Sequence, residues 1–210
     1  MTTILDFHTH RPNTASALIS VDPRHFDPQP GLCYSVGFHP WHGVENLTLD
    51  DYAMLDRCAR HPQVLAIGET GMDRLRGPDL EVQQLAFVRH LRLAQVLNKP
   101  VVAHCVRTAQ DILAARHREG LDHVTLVIHG MRGNEHVART LLDAGCYLSF
   151  GISYNIAALQ ATPISRLLIE TDDSHVDISD VADAVSRALD ITTGALINHV
   201  TATARLLLMG

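Results

Sequence analysis

The chain has no apolar run approaching the ~20 residues needed to cross a bilayer. Met1-Thr2-Thr3 leads straight into apolar residues, with neither the basic nor the hydrophobic region of a secretory leader. These absences predict a cytoplasmic protein with no membrane partner. The four cysteines, Cys33, Cys58, Cys105 and Cys146, include no Cys-x-x-Cys pair. That removes zinc-ribbon and redox-motif readings and leaves reduced, mostly buried thiols. Lys and Arg number 17 against 23 Asp and Glu, a net charge of −6, and they form no cluster along the sequence. A broad sequence-independent nucleic-acid platform needs a basic face and is not expected, whereas a small or short anionic substrate held at metal ions is compatible. No Ser/Pro/Gly linker, charge block, low-complexity tract or fixed-period repeat divides the 210 residues, so 1–210 reads as one domain with a sizeable core.

What is present is an alternation of strand and helix patterns. Strands are predicted at Thr3 to His8, Ala17 to Val21, Leu32 to His39, Val64 to Glu69, Pro100 to Cys105, Val124 to His129, Cys146 to Gly151 and Leu167 to Asp172. Several are continuous apolar runs, as parallel strands covered on both faces require. A helix capped by Asp79 should run to Leu97 with Gln84, Phe87, Leu91 and Ala94 on its buried face. Asn134 should cap another, with Val137, Leu141 and Ala144 buried and Gly145 ending it. Further helices are predicted from Asp51 to Arg60, Thr108 to Glu119, Ile178 to Leu189 and Thr193 to Leu208. Arg11 to Ser16 is too short and polar for a crossover helix. The fold class is therefore α/β, a distorted (β/α)₈ TIM-type barrel lacking the helix after its first strand.

Reactive groups in such barrels sit at the C-terminal strand ends. His8 and His10 end strand 1, two residues apart and so on one side of an extended chain. Alone the pair means little, since 14 histidines in 210 residues give about one chance His-x-His. Glu69, His104, His129 and Asp172 end four further strands, and their convergence carries the reading. Imidazoles and carboxylates without a thiolate suit borderline divalent ions such as zinc, manganese or iron. Six ligands are too many for one tetrahedral site with an open position, whereas two ions sharing a carboxylate would use them all. His39 and His42 in Gly37-Phe-His-Pro-Trp-His could contact a substrate phosphate, or form a surface turn stiffened by Pro40 with Trp41 packed on the rim. Arg107 could clamp a phosphate through its planar fork. Cys105, by strand alternation, points away from the site.

Asp6-x-His8-x-His10, Gly37-Phe38-His39-Pro40, Ala66 to Asp73 (AIGETGMD), Pro100 to Ala109 (PVVAHCVRTA), Ile128-His129-Gly130 and Ile169-Glu170-Thr171-Asp172 resemble, in order, the signatures of the TatD family of metal-dependent hydrolases. The resemblance runs from Ile4 to Leu208. It implies an amidohydrolase-like barrel, two divalent ions (zinc, manganese or magnesium) and phosphodiester hydrolysis of deoxyribonuclease type, DNA ends being one candidate substrate. By motif, His8, His10 and Asp172 would hold one ion, Glu69 would bridge, and His104 and His129 would hold the other. Asp172 would be the general base, with Glu69 the second catalytic carboxylate. The chain departs from the family where the segments after His10 and after Asp172 are short. The usual Cys-Phe-Ser-Gly after the strand 6 histidine reads Gly130-Met131-Arg132-Gly133, and Asp173-Ser174 replaces Ala-Pro. The shortened loops predict a shallow, open site. Hydrolysis of a carboxylic ester or amide, or metal binding without turnover, are the alternatives.

Overall fold

The computed structural model describes residues 3–209; Met1 and Thr2, read as leading into the first strand, lie outside them. Eight parallel strands make one sheet in chain order: β1 (Asp6–Thr9), β2 (Ala17–Val21), β3 (Cys33–Val36), β4 (Val64–Asp73), β5 (Val101–Val106), β6 (Leu126–Ile128), β7 (Tyr147–Phe150) and β8 (Leu167–Ile169). The sheet closes where Thr9 bridges to Asp172, with the Asp172 N–H donating to His8 O at 2.9 Å and the His10 N–H to Asp172 O at 3.2 Å. The expected barrel is therefore the fold. Helices α1 (Leu49–Ala59), α2 (Leu80–Leu97), α3 (Ala109–Arg118), α4 (Glu135–Asp143), α5 (Ile156–Ala161), α6 (Ile178–Ala188) and α7 (Thr193–Met209) complete it. None of the described helices is long and apolar enough to cross a membrane.

Strand alternation sorts the core into two compartments. Ala66, Val102, Val127 and Leu168 join Phe7 and Leu18 inside the barrel, and Ile4, Ala204 and Leu208 plug its base. Their strand neighbours Ile67, Val101, Ile128 and Ile169 pack outward with Leu55, Phe87, Leu91, Leu141 and Val181 of the helices. Residues two steps further along the inward side, His104, His129 and Glu170, therefore line the mouth above the interior core.

Several expectations need correction. The connection after β1 has no helix, as expected, but neither has the one after β2, which holds only a 3-10 turn at Pro23–His25. Pro23, Pro28 and Pro30 withhold the donors a helix there would need. Strand β1 begins at Asp6 rather than Thr3, β4 continues past Glu69 to Asp73, and β6 and β8 end before His129 and Asp172. Helix α5 was not foreseen, because six residues are too few to show a period; Asn155 Oδ1 caps it by accepting from the Ala158 N–H at 3.1 Å. Asp79 makes no side-chain cap on α2, whereas Thr48 and Asp51 form a capping box at α1. The buried glutamine of α2 is Gln83, not Gln84: its Oε1 accepts the Asp73 N–H at 2.7 Å and its Nε2 donates to Asp73 O at 3.0 Å. In α4 the fully buried residues are Ala138 and Leu141, while Val137 and Ala144 are half-buried. All four cysteines are free thiols, but only Cys146 is fully buried.

Helix α2 also fixes the end of β3. His90 is wholly buried; its Nδ1 lies 2.7 Å from Ala86 O and so carries the proton, leaving Nε2 to accept the Phe38 N–H at 3.0 Å. Burial lowers its pKa to about 4. A histidine held neutral in the fold contributes stability above its unfolded value near 6.5 that is lost as pH falls toward about 4, because the unfolded chain takes up the proton first. His90→Gln keeps an acceptor for Phe38 and cannot titrate. Denaturant unfolding of metal-free protein should show wild type losing about 2 kcal/mol relative to this variant between about pH 7.5 and pH 5. Parallel pH profiles for the two proteins would refute this linkage.

Candidate metal centre

The ligand-type residues converge because two strands are out of step with their neighbours. Asp6 pairs with Ala17 and Thr9 with Ile19, so three steps along β1 match two along β2. Adjacent residues in such a bulge can face the same way, and Phe7 and His8 do: Phe7 joins the interior core while His8, wholly buried, faces Glu69 above it. The same mismatch recurs in β4, where Ile67 pairs with Val101 and Thr70 with Ala103. This extra residue turns Glu69 to the barrel axis. Gly68 and Gly71 make it possible: both have φ in the left-handed region, at +133° and +135°, and a Cβ would collide with the carbonyl oxygens of Val102 and His104 respectively.

Glu69 is 3% exposed and its two oxygens face different histidines. Oε2 lies 3.2 Å from His8 Nε2 and 3.1 Å from His10 Nε2. Oε1 lies 2.7 Å from His129 Nε2, 3.1 Å from His104 Nδ1 and 3.0 Å from His39 Nε2. Asp172 Oδ1 stands 3.6 Å from both His8 Nε2 and His10 Nε2. Burial would raise the Glu69 pKa, but His129 and His8 hold it well below the usual carboxylate range. Burial disfavours charge on His129, yet Glu69 and then Glu170 raise its pKa well above the usual histidine value. His8, sealed in and next to His129, is lowered. For His10, burial is outweighed by Glu69 and Asp172, which raise it.

A divalent ion fits this donor set. Two ligands each about 2.0 to 2.1 Å from a tetrahedral ion lie roughly 3.3 Å apart, close to the separations among His8, His10, Asp172 and Glu69 Oε2. His8 Nε2 and Glu69 Oε2 are buried without a hydrogen-bond partner, a state that coordination would satisfy. His8, His10 and Asp172 make one group with donor atoms close enough to share an ion, and Glu69 joins others with His129 and with His104.

The hydrogen bonds around each imidazole bear on which nitrogen could give a lone pair to an ion. His104 has a carboxylate oxygen 3.1 Å from each ring nitrogen, Glu69 Oε1 at Nδ1 and Asp73 Oδ2 at Nε2; with its proton on Nε2, held by Asp73, Nδ1 is the nitrogen that can ligate. Asp73 is itself fixed: Oδ2 accepts from Trp41 Nε1 at 2.7 Å and Oδ1 from the Leu75 N–H at 2.7 Å. Its pKa is lowered, burial being outweighed by these bonds. His129 turns Nδ1 toward buried Glu170, 3.5 Å away, which also accepts the Gly130 N–H at 2.6 Å. His39 is the reverse case. Its Nδ1 accepts the Trp41 N–H at 3.1 Å, so a neutral ring carries its proton on Nε2 and presents a donor to Glu69 rather than a lone pair. Burial lowers its pKa, which favours that neutral form.

All six expected ligands thus meet, His39 meets them, and two expected residues do not. His42 is exposed, its ring 5.0 Å from that of His39, and belongs to none of the ligand groups found among the described residues. Arg107 stands further out, on the wall of a cleft of about 1060 Å³. Asp73 and Glu170 were missed as site residues although both stand within the quoted motifs. Glu170 lies two residues before Asp172, and spacing alone could have put it on the same side. The lining of the cleft includes Trp41, residues 73–76, 104–111, parts of 129–141 and 172–173, and nothing from the shortened connections around β2.

Residues 25–189 match the model of the TatD related DNase family. The chain belongs to that family. It is 33% identical over 153 residues to the metal-dependent hydrolase YcfH of Escherichia coli (strain K12), covering 69% of this chain and 57% of that protein. It is 37% identical over 161 residues to the 3'-5' ssDNA/RNA exonuclease TatD of Pantoea vagans, covering 70% and 60%. The chain therefore spans less than two thirds of the length of the curated relatives it matches. The TatD homolog YJJV of Escherichia coli K12 superposes with a TM-score of 0.82 at 20% identity, covering 99% of this chain and 98% of that one, which shows the shared barrel.

Asp73→Asn would keep the shape around His104 and weaken the carboxylate that orients it. Metal affinity should fall about 10- to 100-fold at the half of the site containing His104, measured by chelator competition with zinc. Wild-type affinity in this variant would show that His104 needs no such support.

Proposed function

We propose that residues 1–210 act as a single-domain metal-dependent hydrolase of phosphodiester bonds, with two divalent ions held by His8, His10, Glu69, His104, His129 and Asp172. The observation that carries this is the division of Glu69, with two histidines at one oxygen and His104 and His129 at the other. One ion would leave half of that set unserved. When bound, divalent ions of the zinc, manganese or magnesium kind polarise a phosphoryl oxygen and make a water acidic near neutral pH.

The chain's residues supply the rest. Asp172 combines contact with His8 and His10 with 23% exposure, so it can accept a proton from water entering through the cleft. Its φ of +53° is unusual for a residue with a side chain and aims it from the barrel seam. His39 presents its Nε2–H to Glu69 Oε1, and an ion taking that oxygen would free the donor for a non-bridging phosphoryl oxygen as charge builds there. A nucleic-acid substrate is supported by the relative named for ssDNA/RNA exonuclease activity. Zinc, manganese and magnesium should each be tried with bis-p-nitrophenyl phosphate, short DNA and p-nitrophenyl acetate. Turnover of the phosphodiesters alone is expected. Turnover of only the acetate would move the reading to carboxylic esters, and metal binding without any turnover would make the protein an accessory one.

Elemental analysis should find about two divalent ions per wild-type chain, and Glu69→Gln should lose both, since the bridge serves each half. A metal-free wild type after growth with adequate supply would remove the site assignment. Asp172→Asn should lower kcat by about 10²-fold or more with the fold intact. Near-wild-type turnover would place the base elsewhere.

A further inference from the structure

Four arginines that are scattered in sequence reach the cleft from three loops: Arg74 and Arg76 after β4, Arg107 after β5 and Arg132 after β6. Two are engaged. Arg74 pairs with Asp111 Oδ2 at 2.6 Å and donates to Arg107 O at 3.2 Å, and Arg76 lies 4.6 Å over the Trp41 ring. The guanidinium groups of Arg107 and Arg132 are exposed and have neither ion pair nor hydrogen bond among the described residues.

Their placement repeats. Arg107 follows His104 by three residues, and Arg132 follows His129 by three. Strands β5 and β6 pair Ala103 with Ile128, which sets His104 beside His129, their rings 5.5 Å apart. Two His-x-x-Arg segments therefore leave adjacent strand ends together, and His104, Arg107, His129 and Arg132 all line the one cleft. His129 is buried and His104 half-buried while both arginines are exposed, so the arginines stand further out and suit an anion next to the reacting group rather than the reacting group itself. The acids on this side are taken: Asp73 by His104, Trp41 and Leu75, and Asp111 by Arg74. Asp172 and Asp173, across the cleft on the β8 side, are the remaining carboxylates of its lining.

We propose that Arg107 and Arg132 form a second anion subsite, which takes the phosphate neighbouring the scissile diester. This deepens the phosphodiester reading and rests on it. The preferred substrate is then a short nucleotide chain with at least two phosphates, one at the metal centre and one in the planar forks of the two arginines.

The test compares dTpdT with its 5'-phosphorylated and 3'-phosphorylated forms. With metal-loaded wild type, one phosphorylated form should exceed dTpdT in kcat/KM by about tenfold or more, the size of a charge-assisted contact. Arg132→Gln, and Arg132→Gln with Arg107→Gln, should bring that ratio toward one, and Arg132→Lys should restore part of it. A second readout needs no turnover. Trp41 is the one tryptophan in the chain and lines the same cleft, so its fluorescence can follow binding of the favoured dinucleotide to metal-stripped protein. The double variant should weaken that binding about tenfold. Turnover of dTpdT with no gain from either added phosphate, or a gain that survives the double substitution, would overturn the subsite and leave the hydrolase reading standing. No turnover of any phosphodiester with any of the three metals would overturn both.

Discussion

A carboxylate sealed inside the barrel with five imidazole nitrogens within 3.2 Å is the constraint on which the upper half of this structure depends. An ionised group removed from water costs several kcal/mol unless it is paired and its lone pairs are met. Glu69 avoids that cost only when both oxygens face donors or ions, and only a position near the barrel axis lets them do so. Hence the irregular backbone of β4, with its extra residue and its two glycines pressed against β5. The bulge in β1 answers it from the opposite side, bringing His8 inward beside Phe7. Close packing below, with Phe7, Leu18, Ala66, Val102 and Val127 in contact, sets the floor on which these residues rest.

The barrel seam serves the same site. Asp6 accepts the Thr171 N–H at 2.9 Å and its hydroxyl at 2.7 Å, joining the segment before His8 and His10 to the segment before Asp172. Burial raises the Asp6 pKa to about 6 despite these bonds, so its charge at neutral pH is held at a cost that the two donors partly offset. The two histidines and the carboxylate facing them are thereby fixed relative to each other by backbone rather than by a loop. Ligands spaced along the chain by more than 160 residues keep a separation of 3.6 Å.

Much of this was legible because chemistry recurs at strand ends. The alternation of apolar runs with amphipathic stretches shows the barrel, and His8, His10, Glu69, His104, His129 and Asp172 each follow a recognisable strand. Register is another matter. Whether three residues of β4 oppose two of β5 depends on contacts between distant segments, and nothing local in Ile67-Gly68-Glu69-Thr70 reports it beyond the glycine itself. The roles of Asp73 and Glu170 were hidden for the same reason, since each is defined by a histidine on another strand. An ideal helical stripe favours Gln84 over Gln83 because it does not reveal that Asp73 needs a partner. The direction in which His39 presents its proton depends on one backbone N–H, that of Trp41.

Charge is distributed by the same logic. A chain with net charge −6 and no basic run looks unsuited to anions, yet loops after three successive strands bring four arginines to one cleft. A basic wall needs no basic sequence, only side chains placed at equivalent positions of neighbouring strand ends. The wall is one-sided, because the short connections around β2 contribute nothing to the lining. A long substrate would thus be gripped near its reacting bond and along one flank, with little binding energy available from its remote parts. On the proposed reading, the missing length after β1 and β2 would narrow what the site can hold, while the arginines beyond β5 and β6 would determine which charge pattern it holds best.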